Sequence, residues 1–157
     1  MVPDEIRFIE RFGLLMEEAG GTKTLGRVFG YLMLTGEPKT LDEISSDLLF
    51  SKATASLTVR QGLLMALIEK VSRPGQRKDY YTASIRSWTR AIENKMKVIE
   101  EWNQIILHGL SIIPADNPSA RENLEGMKDY LDFCIWYMSD IDEYYERWKR
   151  GEFSDRA

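Results

Sequence analysis

The sequence predicts a mainly α protein with a small β-wing, in which a compact head carries long additional helices. Three observations support this fold class. Apolar residues recur every three to four positions along most of the chain, as amphipathic helices require. A short helix, a tight apolar turn and a second helix begin at Leu41, and two strand-like segments with a turn between them follow, up to Ala83. This order is that of a winged helix-turn-helix.

The helix-turn-helix begins with a short helix that carries three apolar residues on one face: Leu41, Ile44 and Leu48. Leu49 and Phe50 form the apolar turn. Ser51 is suited to cap the second helix, because its hydroxyl can accept a backbone N–H of the first turn. The second helix of such a motif can enter the major groove of DNA.

The second helix has one apolar face and one polar face. Ala55, Val59 and Leu63 recur at helical spacing and are predicted to face the core. The polar residues have the chemistry to contact phosphates or base edges: Ser51, Lys52, Thr54, Ser56, Arg60 and Gln61. An ordinary solvated helix face is the alternative interpretation of these polar positions.

The predicted wing consists of strands at residues 67–71 and 79–83. The intervening turn contains Pro74 and Gly75, a pair that favours chain reversal. Its polar residues are the predicted contacts of the wing with DNA: Arg73, Gln76, Arg77 and Lys78.

The distribution of charge supports DNA as a partner. The chain has a net charge of −4, yet residues 51–78 contain six basic residues and one acidic residue. Attraction to phosphates decays within a Debye length of about 8 Å at physiological salt, so this local basic block matters more than the overall charge. The expected partner is double-stranded DNA, and the alternative is a winged-helix module that binds an acidic protein.

Residues 75–83 (GQRKDYYTA), following residues 51–56 (SKATAS), resemble the GbsR-type branch of the MarR-like winged-helix transcriptional regulators. Residues 20–21 (GG), 26–32 (GRVFGYL) and 41–44 (LDEI) stand in the order of that branch. The resemblance covers about residues 6–83, and beyond them only a helical, aromatic-rich character is shared. It implies a dimeric, DNA-binding repressor of stress or osmoprotectant genes. Proteins of that branch tend to carry a bulky apolar residue where this chain has Gly62. The glycine predicts a weakened C-terminal half of the second helix.

The head is flanked by helices that divide the chain into three regions. We expect an N-terminal dimerisation or packing helix in residues 1–19, the DNA-binding head in 20–83, and a helical dimerisation region in 84–157. Thr22 or Thr24 can cap the helix after the first one, in which Gly26 and Gly30 share a face and allow close helix contact.

The C-terminal region predicts two long helices, at residues 84–113 and 119–150, with Asn117 capping the second and Pro118 in its first turn. The first carries an apolar stripe: Trp88, Ile92, Met96, Ile99, Trp102, Ile106 and Leu110. The second carries another: Leu124, Met127, Leu131, Cys134 and Met138. The head can cover only part of these surfaces, so we expect a homodimer.

Aromatic residues in the same region define a candidate effector site. Ring faces attract cations that accept no strong hydrogen bond, so a choline-like cation is the ligand class to consider, and the resemblance favours it. The candidate ligand-binding residues are Trp102, Tyr130, Phe133, Trp136 and Tyr137. Core packing and dimer contact are the simpler interpretations of such a stripe.

Several functions and sites are not expected. Cys134 and His108 are the only cysteine and histidine, which argues against a Cys/His metal site or catalytic set, and we expect neither enzymatic activity nor a cofactor. Apolar runs fall short of the ~18 residues that span a bilayer, so no membrane segment is expected. The single cysteine indicates the cytoplasm.

Overall fold

The computed structural model describes residues 1–153 and confirms the predicted fold class. Its elements within that range are α1 (Pro3–Glu18), α2 (Lys23–Thr35), β1 (Lys39–Thr40), α3 (Leu41–Asp47), α4 (Lys52–Leu64), β2 (Glu69–Val71), β3 (Tyr80–Thr82), α5 (Ile85–Ile112), α6 (Pro118–Met138) and α7 (Ile141–Lys149). Two compact units result, Met1–Asn94 and the part from Lys95 onwards. In the described range, no helix has the length and apolarity needed to cross a membrane.

Side-chain caps explain where three of the helices begin. Thr22 and Ser51 cap α2 and α4, and their hydroxyl oxygens accept backbone N–H groups at 3.3 and 3.0 Å. Asn117 caps α6 in the same way at 3.1 Å, and Pro118 occupies the first helical position. A capping side chain satisfies one of the backbone donors that a helix start leaves without a partner. These starts match the sequence prediction.

The wing belongs to an antiparallel sheet in the order β1-β3-β2. Tyr80 of β3 pairs with Val71 of β2 on one side and with Thr40 of β1 on the other. The two longer strands were predicted, whereas β1 was not. A strand of two residues is too short to show the alternation by which strands are recognised in a sequence.

The core of the first unit lies between α2 and the helix-turn-helix. Its largest fully buried side chains come from α1, α2, α3, α4 and the start of the wing: Ile9, Leu25, Val28, Phe29, Tyr31, Leu32, Ile44, Leu48, Val59 and Ile68. Ile68 lies against Gly62 of α4. A Cβ atom at Gly62 would stand 2.4 Å from Ile68 Cδ1 and 3.2 Å from its Cβ. The predicted weakness at Gly62 is therefore not observed, since α4 continues to Leu64 and needs a glycine at this contact.

Helices α1 and α2 approach each other closely along a face of small residues. A Cβ atom at Gly26 would lie 2.4 Å from the carbonyl oxygen of Phe12 and 2.8 Å from the Cα of Gly13. At Gly30 it would lie 2.9 Å from the Phe12 Cβ. The prediction that these two α2 glycines permit close helix contact is confirmed.

The last predicted helix is broken, which corrects the prediction of one helix over residues 119–150. Helix α6 ends at Met138, and α7 starts at Ile141. At the break, the Ser139 hydroxyl donates to the Trp136 carbonyl at 2.9 Å, and Asp140 leaves the helical conformation. The apolar residues recur on both sides of these two positions, so the apolar pattern alone does not reveal the break.

The close contact at Gly26 gives a stability prediction. Gly26→Ala should destabilise the first unit by about 1 to 3 kcal/mol, because the added methyl meets backbone atoms that cannot move aside. Gly126→Ala is the matched control: this glycine lies inside α6, a Cβ there meets nothing within 4 Å, and alanine should stabilise that helix by up to ~1 kcal/mol. Denaturant midpoints at one protein concentration measure both. Equal stability of the two variants would contradict the packing described.

Candidate nucleic-acid interface

The burial of α4 determines which of its side chains face outward. Its buried residues recur at helical spacing: Ala55, Thr58, Val59 and Gly62. Of the predicted contacts, Ser51, Lys52 and Arg60 are exposed. Thr54, Ser56 and Gln61 are half-buried at the edges of the exposed face. One face of α4 is thus held by the core, and the predicted polar and basic contacts lie on the exposed side of the helix and at its edges.

Several of the predicted α4 contacts also have structural partners. Ser51 Oγ lies 2.8 Å from Thr54 Oγ1, so the cap of α4 involves both hydroxyls. Gln61 Oε1 accepts a hydrogen bond of 3.2 Å from the hydroxyl of Thr22, the residue that caps α2. Gln61 therefore links α4 to the start of α2 and keeps its amide N–H groups as donors.

Tyr80 organises the wing loop between β2 and β3. The Arg73 guanidinium lies over the Tyr80 ring, 4.5 Å from its centroid. The Tyr80 hydroxyl donates to Gln76 Oε1, and the Gln76 N–H donates to the Arg73 carbonyl at 3.1 Å. Gly75 completes the turn with a φ of 75°. Arg73 and Gln76 are thus ordered by one buried tyrosine, whereas the exposed Arg77 forms no ion pair with any described residue.

Acidic residues partly neutralise the basic block. Lys70 pairs with Asp79 at 2.8 Å, and this carboxylate raises the pKa of the Lys70 ammonium. Asp42, in the first turn of α3, meets both Lys52 at 2.7 Å and Lys78 at 3.2 Å. The hydrogen bond from Lys52, followed by that from Lys78, lowers the pKa of the Asp42 carboxyl. A count of charges along residues 51–78 missed Asp42, because it precedes that segment.

Apolar residues on the outer face of α4 were also missed. Ala53 and Leu57 are exposed one turn apart, and 65% of Leu57 is accessible. They lie between Lys52 and Arg60 on the face opposite the buried one. Apolar side chains in this position suit the methyl group of thymine in a major groove. The predicted core face of α4 already implied their outward position, since both lie opposite Ala55 and Val59.

In the second unit, four of the five predicted ligand-binding residues come together on α6. The ring centroid of Phe133 lies 6.5 Å from that of Tyr130, 6.2 Å from that of Trp136 and 5.8 Å from that of Tyr137. All four are more than half exposed, Phe133 least at 53%. Trp102 is carried by α5, and within residues 1–153 it forms no aromatic pair with these four. The aromatic residues form an exposed ladder on one helix.

Known proteins resemble this chain in sequence along most of its length. Residues 86–151 match the family model described as MmpR5-like MarR family transcriptional regulator. YvaV of Bacillus subtilis (strain 168), a candidate HTH-type transcriptional regulator, is 30% identical over 155 residues, which cover 90% of this chain and 87% of YvaV. The chain belongs to the MarR family of winged-helix transcriptional regulators. It is a DNA-binding transcriptional regulator, and the relatives it matches are regulators rather than enzymes.

Two further similarities agree with this family. The HTH-type transcriptional repressor OpcR of B. subtilis (strain 168) is 27% identical over 156 residues, which cover 90% of this chain and 84% of OpcR. A crystal structure of a transcriptional regulator superimposes with a TM-score of 0.83 at 23% identity, over 92% of this chain and 99% of that one. The second similarity shows that the MarR-type fold of the chain occurs in a solved structure.

Proposed function

We propose that this MarR-family regulator is a homodimeric repressor that binds a pseudo-palindromic operator with two copies of α4 and the wing. The observation that carries the proposal is the meeting of Lys52 and Lys78 at Asp42. Because one carboxylate contacts both lysines, the N-terminal end of α4 and the wing loop share one face of the head. A helix that enters the major groove and a wing that contacts the flanking backbone require this arrangement.

We assign different roles to the two parts of the surface. The outer face of α4 reads bases and contacts phosphates, and its residues are Ser51, Lys52, Thr54, Ser56, Arg60 and Gln61, with Ala53 and Leu57 between them. The wing contacts the backbone through Arg73, Gln76, Arg77 and Lys78. The regions proposed from the sequence follow this division, with residues 20–83 for DNA binding and residues 84–157 for dimerisation.

Exposed apolar surface supports a second copy of the chain as the dimer partner. In the first unit, α1 exposes Ile6, Phe8, Leu14 and Leu15. In the second unit, α5 exposes large apolar residues over more than three turns: Val98, Trp102, Ile105, Leu107 and Ile112. Many large apolar residues exposed on helices outside a DNA-reading head are typical of an interface, and a palindromic operator requires two heads.

Within the MarR family, we assign the chain to the GbsR-type branch. The wing segment at residues 75–83 and the order of the upstream motifs support this assignment. The proposed role as a repressor is supported by the relative OpcR, which is named a transcriptional repressor. The exposed ladder of Tyr130, Phe133, Trp136 and Tyr137 supports a small cation as effector. Such a ligand changes operator affinity only if it binds one arrangement of the two heads better than another. The cytoplasm, where operator DNA is accessible, is the proposed location.

Wing and recognition helix should contribute differently to DNA binding. Arg77→Ala should weaken binding to operator and to random DNA alike, and it should lower the salt slope by about 0.9 for each of the two Arg77 side chains of the dimer that neutralises a phosphate. Ser56→Ala and Gln61→Ala should cost ~1 to 3 kcal/mol mainly on the operator. Titrations of both duplexes at several salt concentrations separate the two effects. Unchanged affinity in all three variants would remove these residues from the interface and favour the protein-binding module.

The protein should sediment as a dimer at micromolar concentration. Phe8→Glu together with Leu15→Glu should shift it toward monomer, because charged groups would be buried in the proposed α1 contact. Arg77→Glu, which changes the charge by the same amount on the exposed wing and outside α1, is the control for altered charge. Sedimentation velocity of the three proteins tests this. A well-folded wild-type monomer would contradict the dimer.

The effector proposal predicts saturable quenching of tryptophan fluorescence by a quaternary ammonium compound. Choline, glycine betaine and a neutral isostere of choline are titrated with and without operator DNA. The cations alone should bind in the millimolar range or tighter, and Trp136→Ala should abolish the response. A coupling of ~1 to 3 kcal/mol to operator affinity would make a useful switch. Absence of saturation with every compound would assign the ladder to packing or dimer contact.

A further inference from the structure

Asp42 occupies an unusual position for an acidic residue in the proposed DNA-binding surface. Its Oδ1 atom lies 2.7 Å from the Lys52 Nζ, and its Oδ2 atom lies 3.2 Å from the Lys78 Nζ. Lys52 is the first residue of α4, and Lys78 stands in the wing loop two residues before β3. Each oxygen therefore holds a lysine from a different part of the surface, and the carboxylate bridges three elements.

Folding stability does not explain this bridge. The side chains of Asp42, Lys52 and Lys78 are 50%, 80% and 65% exposed. Ion pairs in such positions are screened by water and salt and contribute little to folding. The neighbouring Glu43 has a structural role, since it accepts hydrogen bonds from the backbone N–H and the hydroxyl of Thr40 at 2.7 Å and caps α3. Asp42 makes no such capping contact.

The bridge does affect how the surface attracts DNA. Together with Asp42, the two lysines carry one net positive charge, whereas without it they would carry two. The electrostatic attraction to any phosphate backbone is therefore reduced. Each ammonium has three N–H donors, and its contact with Asp42 leaves the others for a phosphate. Both lysines can therefore still bind phosphates in a well-fitted complex, in the relative positions that the carboxylate imposes.

We propose that Asp42 is a specificity-determining residue, which holds Lys52 and Lys78 in the geometry of the operator complex and weakens attachment to non-operator DNA. The inference rests on the proposed DNA-binding surface. Non-specific binding depends almost entirely on the number of phosphates neutralised. Specific binding depends also on the orientation of α4 and the wing, which the bridge preserves. Asp42 thus weakens non-specific binding more than it weakens specific binding.

The test compares Asp42→Asn with wild-type protein on two duplexes of equal length, the operator protected in a footprint upstream of its own gene and a random sequence. Asp42→Asn should bind random DNA more tightly, by up to about eight-fold at 0.1 M salt for each head of the dimer that contacts DNA, with a salt slope steeper by up to about 0.9 per head. Operator affinity should change by less than about two-fold, so the ratio of the two affinities falls. Asp42→Glu should behave as the wild type.

Two controls separate the bridge from simpler effects. Asp4→Asn removes one negative charge from α1 and should change neither affinity. In a Lys52→Gln, Lys78→Gln background, Asp42→Asn should have no further effect, because Asp42 acts through these lysines. Equal behaviour of Asp42→Asn and Asp4→Asn would overturn the inference, as would an equal loss on both duplexes. A wild-type protein without preference for the operator would instead overturn the proposed function, and the inference with it.

Discussion

The contact between Gly62 and Ile68 determines how the two parts of the DNA-binding surface are joined. Gly62 is buried in the last turn of α4, and its carbonyl accepts the backbone N–H groups of Leu67 at 3.0 Å and Ile68 at 3.1 Å. The Ile68 side chain fills the space that a Cβ would occupy. Because protein interiors are close-packed, this contact fixes the position at which the chain leaves α4 and continues into β2. The outer face of α4 and the wing loop are therefore held in fixed positions relative to each other.

A second set of contacts connects α1 with the helix-turn-helix. The Arg27 guanidinium on α2 pairs with Glu10 of α1 at 2.7 Å and donates to the Leu48 carbonyl at 3.2 Å. It also lies 4.6 Å from the centre of the Phe50 ring. One side chain thus contacts α1 and the turn between α3 and α4, in addition to the close helix contact at Gly26. The helix proposed for dimerisation and the helix proposed for DNA reading belong to one packed structure.

The sequence predicted the fold well wherever local chemistry determines structure. Serine, threonine and asparagine caps marked helix starts, and apolar spacing identified the core face of α4. The errors have physical causes. The apolar pattern continues across the break after Met138 and so hides it, and β1 is too short to show a pattern. The role of Gly62 depends on Ile68, which no propensity reveals. Asp42 was not among the predicted site residues, because Lys52 and Lys78, which it contacts, lie ten and 36 residues away along the chain.

The central claim is that α4 and the wing of two chains bind one DNA site together. Hydroxyl-radical and dimethyl sulfate footprinting on DNA upstream of its own gene, at a stated salt concentration, tests it most directly. Two protected segments are expected one helical turn apart, about 34 Å, with guanine N7 atoms protected in the major groove and backbone protection beside each segment. Binding that leaves guanine N7 accessible, or a footprint no stronger than that on random DNA, would contradict it.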